Sequence, residues 1–303
     1  MRPKPEKRID VSGPGALPSE PSRGATVGAA GREAAAPVLV DGLKAYRFPA
    51  LTGWPGLFHA VFSRHGGIGR PPFDTFNLAR GVGDAPEAVD GNRRRLHRAL
   101  GGGRLVLVRQ VHGTGVVRVD AAPPGGETHP FQHDAGEGDA LVTDRPGLWL
   151  TILVADCQAV LLFDPVLRVV ANVHAGWRGA VAGIVGRTVS AMVDGFGCEP
   201  RRLLAAIGPS LGPCCAEFVH YRREIPQGLW HHMGPGRRLD LWAVTREDLS
   251  RSGVRPGNIS QSGLCTRCRT DEFFSYRGER RTGRFAAVIG LVPDRPDRHP
   301  GKG

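Results

Sequence analysis

The stretch DCQAVLLFDPVLRVVANVHAGWRG, residues 156–179, sets the frame for the whole chain. Its two apolar runs, residues 158–163 and 168–173, predict two buried strands joined by the four residues between them. Such a loop implies a hairpin in which paired residue numbers sum to 331. That register places Cys157 opposite His174, with Cβ atoms about 4.5–5.5 Å apart. A thiolate and an imidazole at this distance could share one metal ion or one proton.

The composition is that of a globular protein and argues against two classes of partner. Of the 303 residues, 41% are hydrophobic and 23% are charged, and the formal net charge is +11. A basic protein favours anionic ligands such as phosphate. No basic stripe interleaved with aromatic residues is present, so we expect no specific nucleic-acid partner. The longest apolar run, residues 148–155, is shorter than the ~20 residues that a transmembrane helix needs, so we expect no membrane partner.

The cysteines and the N-terminus predict a cytoplasmic protein. Six cysteines in 303 residues do not resemble a disulfide framework and suit a reducing compartment. The N-terminus has basic residues without the apolar segment of a secretory signal. We also expect a monomer.

The chain divides into one domain and two tails. Residues 1–37 are rich in Pro, Gly, Ala and Ser and predict a disordered tail. Residues 38–292 contain no internal repeat or linker and predict a single layered α/β domain, with a mixed β-sheet core and outer helices. Residues 293–303 predict a C-terminal tail.

Three residues at strand ends suit a metal ion. His112 follows the apolar run 105–111, Cys157 precedes one strand of the hairpin, and His174 ends the other. Two histidines and one cysteine leave the fourth position of a tetrahedral zinc ion open, which is the catalytic pattern. Asp156 could orient one of these ligands as a hydrogen-bond acceptor. The alternatives are ordinary buried residues or a metal-free hydrolase, with Cys157 as nucleophile and His174 as base.

An anion site is expected beside these ligands. Residues 175–179 lead directly into a predicted helix, whose free backbone N–H groups and Arg178 would attract an anion next to His174. The glycine-rich loop 63–67 could add Arg64 and further backbone donors.

The remaining cysteines suggest a second, weaker possibility. Cys265 and Cys268 have the spacing of a metal-binding pair, and with Cys214 and Cys215 they could form a four-cysteine zinc site. Adjacent cysteines seldom bind one metal comfortably, so structural thiols are the favoured interpretation.

Motifs spread through the chain resemble the bacterial laccase-domain family, also called multicopper polyphenol oxidase-like. In chain order they are Arg109-Gln-Val-His-Gly113, Gly138-Asp-Ala140, Ala155-Asp-Cys157, His174-Ala-Gly-Trp-Arg-Gly179, Ile207-Gly-Pro209, Gly212-Pro-Cys-Cys215, Cys265-Thr266, Phe273-Phe-Ser-Tyr-Arg277 and Thr282-Gly-Arg284. The better-supported activity of that family is purine nucleoside phosphorylase. The sequence departs from the family pattern at Gln158-Ala159 and at residues 81–84, which could tune the substrate without removing the metal.

The resemblance implies a zinc ion held by His112, Cys157 and His174. It also implies phosphorolysis of adenosine, guanosine, inosine and methylthioadenosine, with adenosine deamination as a side activity. Arg64 and Asn77 lie in stretches that match the family and are therefore expected in the pocket, together with Arg178 and Cys157.

Copper chemistry and a non-catalytic role remain alternatives. A copper-dependent polyphenol oxidase needs paired His-x-His segments, and no two of the 11 histidines are separated by one residue. The adjacent pair His231-His232 is the nearest imitation. Zinc is therefore favoured over copper. A role in cell-wall or septum assembly through a partner is the non-catalytic alternative.

Overall fold

The computed structural model describes residues 8–9, 34–121 and 130–293. The strands in this part of the chain are β1 (Arg8–Ile9), β2 (Ala36–Val40), β3 (Leu43–Arg47), β4 (Leu57–Phe62), β5 (Arg104–Arg109), β6 (Val116–Arg118), β7 (Gln132–Glu137), β8 (Ala140–Thr143), β9 (Leu148–Val154), β10 (Gln158–Asp164), β11 (Val169–Ala175), β12 (Leu204–Ile207), β13 (Met233–Gly234), β14 (Arg238–Leu239), β15 (Ile259–Gln261) and β16 (Phe285–Leu291). The α-helices are α1 (Pro86–Ala99), α2 (Trp177–Val181), α3 (Ile184–Phe196), α4 (Tyr221–Glu224), α5 (Leu241–Arg251) and α6 (Tyr276–Glu279). Short 3₁₀ turns occupy Pro49–Leu51, Pro200–Arg202, Gln227–His232, Pro235–Arg237 and Pro256–Asn258.

Most of the tail predicted at residues 1–37 lies outside the described residues, as do residues 294–303 of the C-terminal tail. Within residues 1–37, Arg8–Ile9 pairs with Leu39–Val40, and Ala36 already belongs to β2. Among the described helices, none combines the length and the apolar character that a bilayer span requires.

Two large mixed sheets form the core. One has eight strands in the order β1-β2-β3-β4-β16-β9-β5-β7, and the other has six in the order β15-β12-β10-β11-β8-β6. Both contain parallel and antiparallel pairs, for example β5 with β9 and β10 with β11. The predicted α/β class, with a mixed β core and outer helices, is confirmed.

The layers follow from strands that are apolar on both faces. In β10, Leu161 and Phe163 pack between the two sheets, whereas Val160 and Leu162 face the helices. Every residue of β10 and β11 is buried, which explains why their sequences read as continuous apolar runs. Helices α3 and α5 cover the outer face of the six-stranded sheet, and α1 covers that of the eight-stranded sheet.

The predicted hairpin exists, but its predicted register is wrong. Gln158 pairs with Ala175 and Ala159 with His174, so paired numbers sum to 333. The reason is the turn: Asp164 remains in the strand, and its Oδ1 accepts hydrogen bonds from the backbone N–H groups of Val166 and Leu167 at 2.9 and 3.0 Å. The ladder therefore ends one residue later than predicted, and Cys157 lies just outside it.

The helical region predicted after β11 consists of two helices. The first, α2, ends at Val181, and α3 begins at Ile184. Gly183, with φ of 78°, adopts a left-handed conformation between them, which glycine accommodates without steric cost.

Candidate metal centre and cavity

His112, Cys157 and His174 converge at one point, as predicted. Their ligand atoms all lie within 4.8 Å of one another. Cys157 Sγ is 3.8 Å from His112 Nε2, and the two imidazole rings meet edge to face with centroids 4.8 Å apart. Ligand atoms around one tetrahedral zinc ion are separated by roughly 3.3–3.8 Å, so a small contraction would let all three residues bind the same ion.

The approach of Cys157 depends on a turn rather than on cross-strand pairing. Asp156, immediately before it, has φ of 85°, and Ala159 occupies the position opposite His174. The prediction that the thiol and the imidazole lie close together is therefore confirmed, whereas the geometric reason given for it is wrong.

Asp139 orients both histidines. Its side chain is fully buried, and its Oδ1 accepts hydrogen bonds from His174 Nδ1 at 2.7 Å and from the backbone N–H of His112 at 2.9 Å. Its Oδ2 accepts another from the backbone N–H of Gly113 at 2.7 Å. Because Nδ1 of His174 donates to a carboxylate, Nε2 is left to bind a metal.

The orienting role was predicted for Asp156, but its carboxylate accepts hydrogen bonds from other residues. Its Oδ1 accepts hydrogen bonds from the hydroxyls of Thr266 and Ser275, both at 2.7 Å, and its Oδ2 accepts one from the backbone N–H of Arg277 at 2.5 Å. The carboxylate therefore joins the turn before Cys157 to two distant segments of the chain.

Cys157 and His174 shift each other's pKa in opposite directions. Burial by itself raises the pKa of the Cys157 thiol, but hydrogen bonds with His112 and His174 outweigh it and lower that pKa to about 6. Burial lowers the pKa of His174, but the hydrogen bonds with Asp139 and Cys157 outweigh it and raise that pKa to about 9. A thiolate, which is the form that binds metal, is thus available near neutral pH.

Gly176 is required by the close approach of these ligands. A Cβ atom at this position would lie 2.6 Å from His112 Cδ2 and 3.3 Å from Cys157 Sγ. Any larger residue would therefore displace one of the two ligands.

The three ligands open onto a cavity of about 880 Å³. Its lining is strongly cationic and includes Arg80, Arg178, Arg277, Arg280 and Arg284. Asp156, whose oxygens already accept three hydrogen bonds, is the one acidic side chain among the described lining residues. The cavity is therefore suited to an anion.

Aromatic side chains form another part of the wall. Trp177 meets Phe218 edge to face at 5.6 Å, and the Arg178 guanidinium lies 4.3 Å from the centre of the Trp177 ring. Tyr276 lines the same cavity, with the Arg284 guanidinium 5.9 Å from its ring centre. These rings provide flat apolar surfaces beside the cationic groups.

Arg178 and His174 both line the cavity. The expected helix N-terminus is short, because α2 has only five residues.

Arg64 is not among the residues that line the cavity. Its side chain is almost fully buried and donates to the backbone carbonyls of Asp74 and Thr270 at 2.9 and 2.8 Å. It also pairs with Glu279 at 2.8 Å and lies over the ring of Phe274. In this position it braces helix α6, which carries Tyr276, rather than facing a ligand.

Asn77 is likewise outside the cavity lining and is fully buried. Its Nδ2 donates to Asp84 Oδ2, and its Oδ1 accepts a hydrogen bond from the backbone N–H of Arg284, both at 2.9 Å. Its connection to the cavity runs through the backbone of Arg284.

Asp139, Arg277 and Arg284 lie in the family-like motifs around residues 138–140, 273–277 and 282–284, and no role for them was predicted from the sequence. The sequence feature that could have identified them is a charged residue in a motif of otherwise apolar or small residues, close to a predicted buried strand. Arg284 is largely buried, and burial lowers its pKa, while the negative charges of Cys157 and Asp156 act in the opposite direction. It therefore lies within electrostatic reach of Cys157, one of the candidate metal ligands.

Comparison with known proteins points to one family. The family model described as multi-copper polyphenol oxidoreductase laccase matches residues 58–292. A purine nucleoside phosphorylase from Streptomyces coelicolor is 40% identical over 243 residues, covering 78% of this chain and 96% of that protein. A purine nucleoside phosphorylase from Escherichia coli, YfiH, is 32% identical over 253 residues, covering 79% and 97%.

Solved structures agree with the sequence matches. The crystal structure of the hypothetical protein YfiH from Bacillus licheniformis superposes with a TM-score of 0.73 at 30% identity, covering 84% of this chain and 98% of that one. YlmD from Geobacillus stearothermophilus gives a TM-score of 0.71 at 31% identity, covering 82% and 96%.

Proposed function

This chain belongs to the multi-copper polyphenol oxidoreductase laccase family, and on that basis we propose that it is a zinc-dependent purine nucleoside phosphorylase. Its substrates are adenosine, guanosine, inosine and methylthioadenosine, which it cleaves with phosphate to the free base and the pentose 1-phosphate. Adenosine deamination is a side activity. The observation that carries the proposal is that a His-Cys-His cluster and several arginines face one cavity.

The arginines support phosphate as the co-substrate. Arg178, Arg277 and Arg284 line the cavity. Among the described lining residues the one carboxylate is that of Asp156, and it already accepts hydrogen bonds from Thr266 and Arg277. Guanidinium groups bind phosphate oxygens through charge-assisted and often bidentate hydrogen bonds. The burial of Arg284 strengthens such a contact, because charges interact more strongly away from water.

The aromatic wall supports a purine. Trp177, Phe218 and Tyr276 line the cavity together with the cationic groups, and flat heterocycles stack on such side chains. A volume of about 880 Å³ lies within the usual range for small-molecule pockets, about 300–1,000 Å³. It is sufficient for a nucleoside and a phosphate together.

The ligand set supports zinc. Two imidazoles and a thiolate suit Zn²⁺ and leave one coordination position open, and the bond from His174 to Asp139 is the outer contact that metal-binding histidines commonly make. A bound zinc ion would supply Lewis acidity and compensate negative charge on an oxygen ligand.

The protein groups act on phosphate and base in the displacement step. One phosphate oxygen forms a bond to C1′ of the pentose while the bond from C1′ to the base nitrogen breaks. The electron pair of that bond moves onto the purine, which takes up the proton that the hydrogenphosphate releases. The arginines hold the phosphate and orient it towards C1′. The aromatic wall fixes the plane of the departing base.

A nucleoside panel with and without phosphate tests the proposal. Each nucleoside is incubated with the full chain, and free base, pentose 1-phosphate and deaminated nucleoside are separated by chromatography. We expect base release to require phosphate and to be lost in Cys157→Ala. Cys198→Ala, which removes a buried thiol elsewhere in the structure, is the matched control. Base release without phosphate would contradict phosphorolysis.

Two observations favour the metal-free cysteine hydrolase. Cys157 Sγ lies 3.8 Å from His112 Nε2, and its lowered pKa is what a nucleophilic thiol requires. Zinc analysis of protein purified without chelators separates the two: one zinc at this cluster supports the phosphorylase. Hydrolysis that survives chelation would support the hydrolase.

Oxidation of a phenol by copper-loaded but not zinc-loaded protein would identify the copper oxidase.

A further inference from the structure

A second group of metal-binding side chains lies outside the cavity. Cys214, Cys215, Cys265 and Cys268 come from two loops, and their sulfur atoms all lie within 4.8 Å of one another. From this arrangement we propose that the four cysteines hold one zinc ion, separate from the His-Cys-His cluster, and that this ion fixes two loops that support the cavity.

The distances fit a tetrahedral ion. Cys268 Sγ is 3.6 Å from Cys214 Sγ and 3.6 Å from Cys215 Sγ. Zinc–sulfur bonds of about 2.3 Å in a tetrahedron place the sulfurs about 3.8 Å apart, whereas a disulfide requires about 2.05 Å. Four protein ligands leave no open position, which is the pattern of structural zinc sites.

The backbone around the cysteines is shaped as a metal site requires. Cys265 and Cys268 are separated by two residues, on a turn in which the N–H of Arg269 donates to the carbonyl of Cys265 at 3.0 Å. The backbone N–H of Gly212 donates to Cys265 Sγ at 3.3 Å, a contact that stabilises a thiolate.

A tight turn allows the adjacent residues Cys214 and Cys215 to bind one ion, although neighbouring cysteines seldom do so. Residues 212–216 form a tight turn, in which the N–H groups of Cys215 and Ala216 both donate to the carbonyl of Gly212. This turn directs both neighbouring thiols towards Cys268. A Cβ atom at Gly212 would lie 3.2 Å from Cys265 Cβ and 2.8 Å from the ring of Trp242, so glycine allows the two loops to meet.

Exposure also favours a bound ion. Cys214 and Cys268 are exposed, and Cys215 is partly exposed. Clustered free thiols at a surface are open to oxidation, whereas a coordinated ion protects them.

The site is connected to the cavity through two short chains of contacts. Thr266, next to Cys265, donates its hydroxyl to Asp156 Oδ1 at 2.7 Å. Leu211, three residues before Cys214, donates its backbone N–H to the carbonyl of Asp156 at 2.8 Å. An ion that joins the two loops therefore holds both contacts to the residue that precedes Cys157.

Metal analysis of the full chain tests the inference. Protein produced with added zinc and purified without chelators or a histidine tag should contain two zinc ions per chain. We expect one in Cys265→Ser and in Cys268→Ser, and one in His174→Ala, since that substitution affects only the other cluster. Cys198→Ala should retain two. An inactive protein that still holds the four-cysteine zinc would overturn the proposed function and leave this inference intact.

Cobalt binding keeps the test decisive if a serine variant fails to fold. Wild-type protein loaded with Co²⁺ should show the intense sulfur-to-metal absorption of a four-thiolate site, and His174→Ala should retain it. Absence of that absorption, or a Cys214–Cys268 or Cys215–Cys268 disulfide in peptide maps of the unreduced protein, would overturn the inference.

Discussion

Asp139 accepts a hydrogen bond from His174 Nδ1 at 2.7 Å, and the same oxygen accepts one from the backbone N–H of His112. One buried carboxylate thus fixes the ring of one expected metal ligand and the main chain of another. The positions of both histidines depend on a residue that need not touch the metal.

Asp139→Asn should weaken zinc binding at the His-Cys-His cluster by about 10–100-fold, because outer hydrogen-bond partners commonly contribute that much to metal affinity. Competition with a chromophoric chelator measures the change. Asp194→Asn, at an exposed position on α3, is the control and should bind zinc as the wild type does. An unchanged affinity in Asp139→Asn would show that the carboxylate does not orient the ligands.

Gly176→Ala should disrupt the same cluster by steric contact. The added methyl would lie 2.6 Å from His112 Cδ2, and a displacement of about 1 Å can cost about 100-fold in catalytic efficiency. Steady-state phosphorolysis and zinc content report the effect. Gly228→Ala adds a methyl with no neighbour within 4 Å and should leave both unchanged. Full activity in Gly176→Ala would mean that His112 is free to move.

Arg284→Ala should raise the KM for phosphate by about 10–100-fold, because hydrogen bonds to charged groups contribute about 1.5–3 kcal/mol. The KM for the nucleoside should change much less. Arg187→Ala removes an exposed arginine on α3 and serves as the control. A selective rise in the nucleoside KM would place the phosphate elsewhere in the cavity.

His59 should make stability depend on pH. Burial, together with repulsion from Arg47, outweighs its bond with Phe48 and lowers the pKa of His59 to about 3. Between its ordinary pKa of about 6.5 and about 3, the unfolded chain therefore binds a proton that the folded chain does not. Stability attributable to this group is complete above about pH 6.5 and decreases as the pH falls.

The measurement is the free energy of unfolding of wild type and His59→Gln at pH 7 and pH 5. We expect the wild type to lose about 2 kcal/mol more than the variant over this interval, since one proton corresponds to about 1.4 kcal/mol per pH unit. His97→Gln, at a position closer to the surface, should behave as the wild type. Parallel pH profiles of wild type and His59→Gln would show that His59 accepts a proton in the folded state.

The sequence was sufficient to predict the elements that depend on local pattern. The apolar runs in β10 and β11 predict buried strands because both faces of each strand are covered. Their register was not predictable from loop length alone, because it depends on Asp164, whose side chain binds two backbone N–H groups and keeps the residue in the strand.

In the candidate site, too, some features were predictable from local sequence and others depend on distant contacts. His112, Cys157 and His174 were identifiable as candidate metal ligands because their residue types have distinctive chemistry at strand ends. The surroundings of Arg64 were not identifiable, because its partners Thr270 and Glu279 lie more than 200 residues away. Whether an arginine faces a cavity or a carboxylate is determined by such distant contacts, which local sequence does not reveal.

The position of β16 has a consequence for synthesis of the protein on the ribosome. This strand, the last of the described strands, inserts between β4 and β9 in the eight-stranded sheet, and Arg284 immediately precedes it. A nascent chain that has emerged only as far as α5 already contains His112, Cys157 and His174 but has a gap in the middle of that sheet. Vectorial synthesis therefore delivers His112, Cys157 and His174 first and Arg284 last among the described arginines of the cavity.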